Sequence, residues 1–191
     1  MNRVALQSRG TVTKRSVGHK PCGISVNSEN NVLVTCYIDN KIQEYTTDGS
    51  LIRDTSLSSA GISGLYHSIQ LPSGQIAISY DHGVCVVDNN GALIHNYTNT
   101  TGASIQLSGP RGLASVRNGC TLVTNYGTNQ ILLLNPSFSS TRVLPLPSNS
   151  ALQSPMALFL DESRGRLYVG ECSGCRVLVF DNVFNVGSDF Q

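Results

Sequence analysis

The sequence predicts an all-β protein, a β-propeller of about four four-stranded antiparallel blades, and three observations carry that expectation. A short paragraph of sequence recurs: Val34-Thr35, Ile78-Ser79, Val123-Thr124 and Val169-Gly170 align at steps of 44, 45 and 46 residues. Each pair ends an apolar run, and a second β-type run follows at 41–45, 83–87, 130–134 and 176–180. Asn-Gly, Asp-Gly and Ser-Gly supply the tight turns that antiparallel hairpins require. A period of this length built from strands fits propeller blades rather than a sandwich or a doubly wound sheet.

The first blade is expected over 18–57. Its inner strand starts at 20–26, its second at 31–35, its third at 41–45, and Thr47-Asp48-Gly49 turns into Leu51-Ile52-Arg53. The second blade, 63–97, opens at 65–71, turns at Pro72-Ser73-Gly74 and returns through Asn89-Asn90-Gly91 to 92–95. The third, 108–146, opens at 109–114, turns at Asn118-Gly119 and passes Asn135-Pro136-Ser137 to reach 142–144. The fourth, 153–182, opens at 154–160 and turns at Ser163-Arg164-Gly165, with its outer strand short or missing. Proline at the start of a strand lacks an N–H and suits that position. Residues 1–17 form a basic segment that alternates weakly and is expected to be the outer strand of a preceding blade. Residues 183–191 read as a tail.

Charge narrows the function classes. The net charge is +1, yet Arg3, Arg9, Lys14, Arg15 and Lys20 all precede the first acid, Glu29. Between Arg53 and Arg111 there is no Lys or Arg, so the repeats lack the electropositive stripe that tracks phosphates. No run approaches the ~20 apolar residues of a membrane helix, and residues 1–9 hold no signal-peptide core. A cytoplasmic protein without a membrane partner is the expectation. Six scattered cysteines suit reduced thiols there. Cys172-Ser173-Gly174-Cys175 has no second pair to complete a tetrahedral metal site, so free thiols are expected.

Propellers bind with one rim, built from the start of each blade and the loop between its second and third strands. The repeat selects Cys22, His67, Arg111 and Met156 at the blade starts, in steps of 45, 44 and 45. The loops contribute Tyr37, Asp39 and Asn40; Tyr80, Asp81 and His82; Asn125, Tyr126 and Thr128; Glu171 and Ser173. Tyrosine and arginine in such places are interface anchors. Loop carboxylates and amides also serve as turn caps. His67, His82 and Asp81 suggest a base–carboxylate pair, but no nucleophile on a sharp turn joins them. No catalytic residue, metal or cofactor is assigned.

Pro110-Arg111-Gly112-Leu113-Ala114, with Leu122-Val123-Thr124 and 129–134, resembles an NHL repeat. So does Lys20-Pro21-Cys22-Gly23-Ile24 with 40–45 and Asp48-Gly49. The resemblance covers about 18–182; the second repeat departs most, with Tyr66-His67-Ser68 where the others have Pro-x-Gly or Pro-x-Ala. NHL repeats build propellers of usually six blades, which implies that four blades make a partial or open ring, able to self-associate through bare edges. The resemblance implies a non-catalytic recognition module for a protein partner, in TRIM-NHL proteins the substrate-binding end of an E3 ubiquitin ligase whose RING lies elsewhere. RNA binding by the same rim is the first alternative it implies. A metal-dependent lactonase- or lyase-like propeller, drawing on Asp39, Asp81, Asn125 and Glu171, is the second.

Overall fold

A computed structural model describes residues 16–99, 105–147 and 150–183. The expected outer strand within 1–17 and the tail beyond 183 therefore lie outside the described residues. The rest is four antiparallel meanders, each hydrogen-bonded in chain order. The first blade holds β1 (Pro21–Val26), β2 (Val32–Cys36), β3 (Lys41–Tyr45) and β4 (Leu51–Ser56). The second holds β5 (Leu65–Gln70), β6 (Ile76–Tyr80), β7 (Gly83–Val87) and β8 (Leu93–Thr98). The third holds β9 (Pro110–Ser115), β10 (Thr121–Asn125), β11 (Gln130–Leu134) and β12 (Thr141–Val143). The fourth has three strands among the described residues, β13 (Pro155–Asp161), β14 (Arg166–Glu171) and β15 (Val177–Asp181).

The inner strands β1, β5, β9 and β13 lie side by side, which sets the blades around a common centre. Alternation along each strand sends one set of side chains to each neighbouring blade. Leu33 and Ile42 of the first blade meet Leu65, Ile78 and Val87 of the second. Val84 and Val86 meet Leu113, Val123 and Leu132 of the third. Leu122, Ile131 and Leu133 meet Leu167, Val169 and Phe180 of the fourth. The core is thus three apolar layers, each sealed by two blades.

The first and fourth blades share no sheet. Among the described residues, each has one face without a neighbouring blade. Ile24 and Val26 are 69% and 62% exposed on one, Phe159 and Val177 64% and 65% on the other. Apolar residues alternate along those inner strands as they do along the buried ones.

Candidate functional site

Every blade begins with the same backbone device. The residue before the inner strand is left-handed: Lys20 at φ 53°, Gly64 at 70°, Gly109 at 62° and Ser154 at 52°. Two of these are glycine, which adopts that conformation freely, and two are not. Pro21, Leu65, Pro110 and Pro155 follow, paired with Cys36, Tyr80, Asn125 and Glu171 at the ends of the second strands. Then the register slips by one residue, a β-bulge in each inner strand. A bulge leaves a residue unpaired and re-aims its side chain. The residues immediately after the paired ones are Cys22, Tyr66, Arg111 and Met156.

This corrects the register read from sequence. Cys22, Arg111 and Met156 are equivalent as expected, but their partner in the second blade is Tyr66. His67 is instead equivalent to Gly23, Gly112 and Ala157. The small residues there have a steric cause. A Cβ on Gly23 would lie 2.5 Å from the Tyr66 carbonyl oxygen, and one on Gly112 would lie 2.8 Å from the Leu158 nitrogen. Neighbouring inner strands approach too closely for a side chain. At His67 the imidazole occupies the gap and replaces the close approach with hydrogen bonds.

Those bonds define the state of His67. Its Nδ1 accepts from the Leu113 N–H at 3.1 Å, so Nε2 carries the proton and donates to the Ile24 carbonyl at 3.3 Å. Burial holds its pKa below the ordinary histidine value, against the Ile24 bond, which raises it. A neutral histidine with both nitrogens engaged ties three blades together. It is not poised as a general base.

The loop residues divide in two. Several are clamps on the chain entering the same blade. Asp39 accepts from the His19 N–H at 2.7 Å and from His19 Nδ1 at 2.9 Å. The His19 backbone bond is the main reason its carboxyl is held below the usual range. Asn125, fully buried, accepts from the Ser108 N–H at 2.6 Å and donates to the Gln106 carbonyl at 2.9 Å. Glu171 accepts from the Gln153 N–H at 2.6 Å and from Arg176 Nε at 2.6 Å. Asn40 and Asn129 reach the following blade instead, accepting from the Gly64 and Ser154 N–H groups at 2.8 and 2.7 Å. Tyr80 belongs to the core, 3% exposed, with its hydroxyl on Asn96 at 2.7 Å. Asp81 accepts from the Tyr66 hydroxyl at 2.6 Å, so the carboxylate expected beside His82 serves a tyrosine. His82 is exposed and meets the Tyr80 ring edge-on.

The others form a continuous row. Lys20 Nζ sits 4.3 Å from the centre of the Tyr37 ring, and Tyr37 lies 5.2 Å from Tyr66. The Arg111 guanidinium lies 3.4 Å above Tyr66 and 5.5 Å from Tyr126. The row crosses three blades and sets each of its two cations against aromatic rings, which attract them electrostatically. Beside it is a groove of about 290 Å³ whose lining includes Cys22, Tyr66, His67, Arg111 and Met156. The Cys22 thiol donates to the Leu65 carbonyl at 3.0 Å, and burial pushes its pKa up. A larger hollow, about 560 Å³, flanks β15; its charged lining residue, Asp181, is paired with Arg166 at 2.6 Å.

Sequence reasoning had missed Tyr66 and Lys20. Counting back 15 residues from Tyr80, as from Cys36 to Pro21 and Asn125 to Pro110, lands on Leu65 and so places the next residue, Tyr66, in register with Cys22 and Arg111. Among the described residues, no group of three or more His, Cys, Asp or Glu side chains could hold a metal ion.

No protein-family model matches the chain, and no curated protein matches its sequence. Solved structures match its fold. Its β-propeller fold is similar to that of virginiamycin B lyase. Virginiamycin B lyase from Staphylococcus aureus, in a catalytically inactive variant with quinupristin, is similar at 19% identity and a TM-score of 0.57, over 85% of this chain and 55% of that one. Hydrazine synthase from Kuenenia stuttgartiensis is similar at 18% identity and a TM-score of 0.66, over 88% and 54%. A protein of unknown function from Bacteroides caccae reaches 0.64 at 18% identity, over 85% and 64%. The chain therefore spans a little over half the length of the lyases it resembles. At these identities the likeness is one of fold.

Proposed function

We propose that this propeller is a non-catalytic recognition module that presents its bulge-bearing rim to a protein partner in the cytoplasm. The row from Lys20 through Tyr37, Tyr66 and Arg111 to Tyr126 carries the proposal. Tyrosine and arginine anchors dominate protein interfaces, and here five residues from three blades are pre-arranged in one line. The groups that could do chemistry at the rim are otherwise engaged: His67 in two inter-blade bonds, Asp39, Asn125 and Glu171 on backbone amides. Six free cysteines suit a reducing compartment.

A photo-crosslinking amino acid placed at Tyr126, and at Ser73 on a turn remote from the rim, tests the proposal in cells of the source organism. Protein adducts from position 126 and none from 73 are expected, and Arg111→Glu should abolish them. Adducts to RNA alone would favour the nucleic-acid alternative. A TRIM-NHL-type role adds a further requirement, that adducted partners gain ubiquitin in a manner dependent on the rim.

A second reading, a lyase-like enzyme, draws on the fold shared with virginiamycin B lyase. Quinupristin incubated with the purified chain should persist unchanged on chromatography if the module is non-catalytic. Its consumption would replace the recognition reading.

A further inference from the structure

We infer that the groove seats the carboxylate of an acidic peptide segment, with Arg111 as its counter-charge and the Tyr66 and Tyr126 rings setting the guanidinium plane. This rests on the rim being a protein-recognition surface and names the chemistry it recognises. Among the described residues, most cations are already answered by acids. Lys41, Arg53, Arg117, Arg164, Arg166 and Arg176 each pair with a carboxylate. Lys20 and Arg111 meet aromatic rings instead. Arg111 is the more exacting case, since its Nε and Nη1 are enclosed and hydrogen-bond to nothing. A guanidinium kept from water with no counter-charge is costly, and an anion brought beside it offsets part of that cost through its charge.

The surroundings select the anion. The acids nearest in the repeat are committed, Asp81 to Tyr66, Asp39 to His19 and Glu171 to Arg176. His67 is neutral in the groove by its hydrogen bonds. The remaining walls are apolar, with Ile24, Met156 and Leu158 among them. A volume of about 290 Å³ is at the small end of ligand sites, which run from about 300 Å³ upward, and suits one or two side chains. An Asp or Glu beside an apolar residue matches both the charge and the walls. A phosphodiester chain would need a track of several cations, and this row offers two.

The test is a random dodecapeptide display library panned on the full chain. Enriched sequences should carry an Asp or Glu next to an apolar residue. The best peptide and its acid-to-amide counterpart are then titrated against the wild type, Arg111→Lys and Arg111→Met. Removing the acid or the guanidinium should each weaken binding by about tenfold or more, and the two changes together by no more than either alone. Arg111→Lys, which keeps the charge but loses the planar fork, should fall between. Circular dichroism of each variant separates lost binding from lost folding. Failure to enrich any peptide, an amide counterpart binding within about twofold, or an Arg111→Met variant that binds as the wild type would each overturn the assignment. Acid-free peptides lost on Tyr126→Ala would remove the carboxylate while leaving the rim as a protein surface. A random 20-nucleotide RNA that displaces the peptide and binds more tightly through Arg111 would also overturn it.

Discussion

The second and fourth blades are built from the same repeat yet have opposite fates. In the second, every residue of β6 and β7 is buried, with apolar layers on both sides. In the fourth, Phe159, Val177 and Val179 stand 64%, 65% and 50% exposed on the face that no blade among the described residues covers. The difference teaches that a blade's sequence does not encode burial by itself. It encodes two apolar faces, and the neighbours decide whether each becomes core. Repeat architectures behave this way because each unit contacts only the next.

Truncation should separate the two blades most sharply. Ile78→Ala, at a fully buried position, should cost about 2–5 kcal/mol in urea unfolding. Val179→Ala in the fourth blade should stay within about 0.5 kcal/mol. Equal costs would mean that the fourth blade is covered in solution.

Adding a methyl group sharpens the same contrast. Gly112→Ala drives a Cβ against the Leu158 nitrogen and the Met156 carbonyl, 2.8 Å from each, and should cost about 1–3 kcal/mol. Ala157 already occupies the equivalent place in the fourth blade, where no following blade approaches. Enlarging it to valine should change the melting temperature less than Gly112→Ala does.

A smaller effect separates the joint that His67 spans from those that glycine makes. Its folded pKa is depressed by burial, so its contribution to stability is present above its unfolded value of about 6.5. That contribution is lost as pH falls from there toward the folded pKa, because the unfolded chain then binds the extra proton. Melts between pH 7.5 and 5 should show this slope in the wild type and a flatter one in His67→Gln, which is less stable at neutral pH. The least effect on stability is expected from Phe159→Ser, within about 0.5 kcal/mol. If the bare face drives self-association, sedimentation will show this variant less associated than the wild type.

The blades were legible because each depends on local signals. The paired runs fell within a residue or two of β2 and β3 and their counterparts, and Asp48-Gly49 and Asn118-Gly119 marked turns where they occur. The bulges were not legible. In three blades Pro-x-Gly or Pro-x-Ala disclosed the register, but the second replaces proline with Leu65, and His67 was aligned one place off. The clamps were hidden for a different reason. Asp39, Asn125 and Glu171 bind backbone N–H groups, which every residue but proline carries, so no sequence pattern reveals the partner. Tyr80 ends its run beside polar neighbours, as a loop residue does, yet its ring turns inward to the layer with Ile78 and Leu65.

The bulge has one more consequence. By taking one residue per blade out of the ladder, it turns Cys22, Tyr66, Arg111 and Met156 out of the apolar layers between sheets and into the groove. Four addressable positions result, arranged around a single hollow and supported by backbone that is indifferent to their identity. Exchanging the side chains at these sites, singly or in combination, should reprogram what the hollow accepts while the scaffold folds as before.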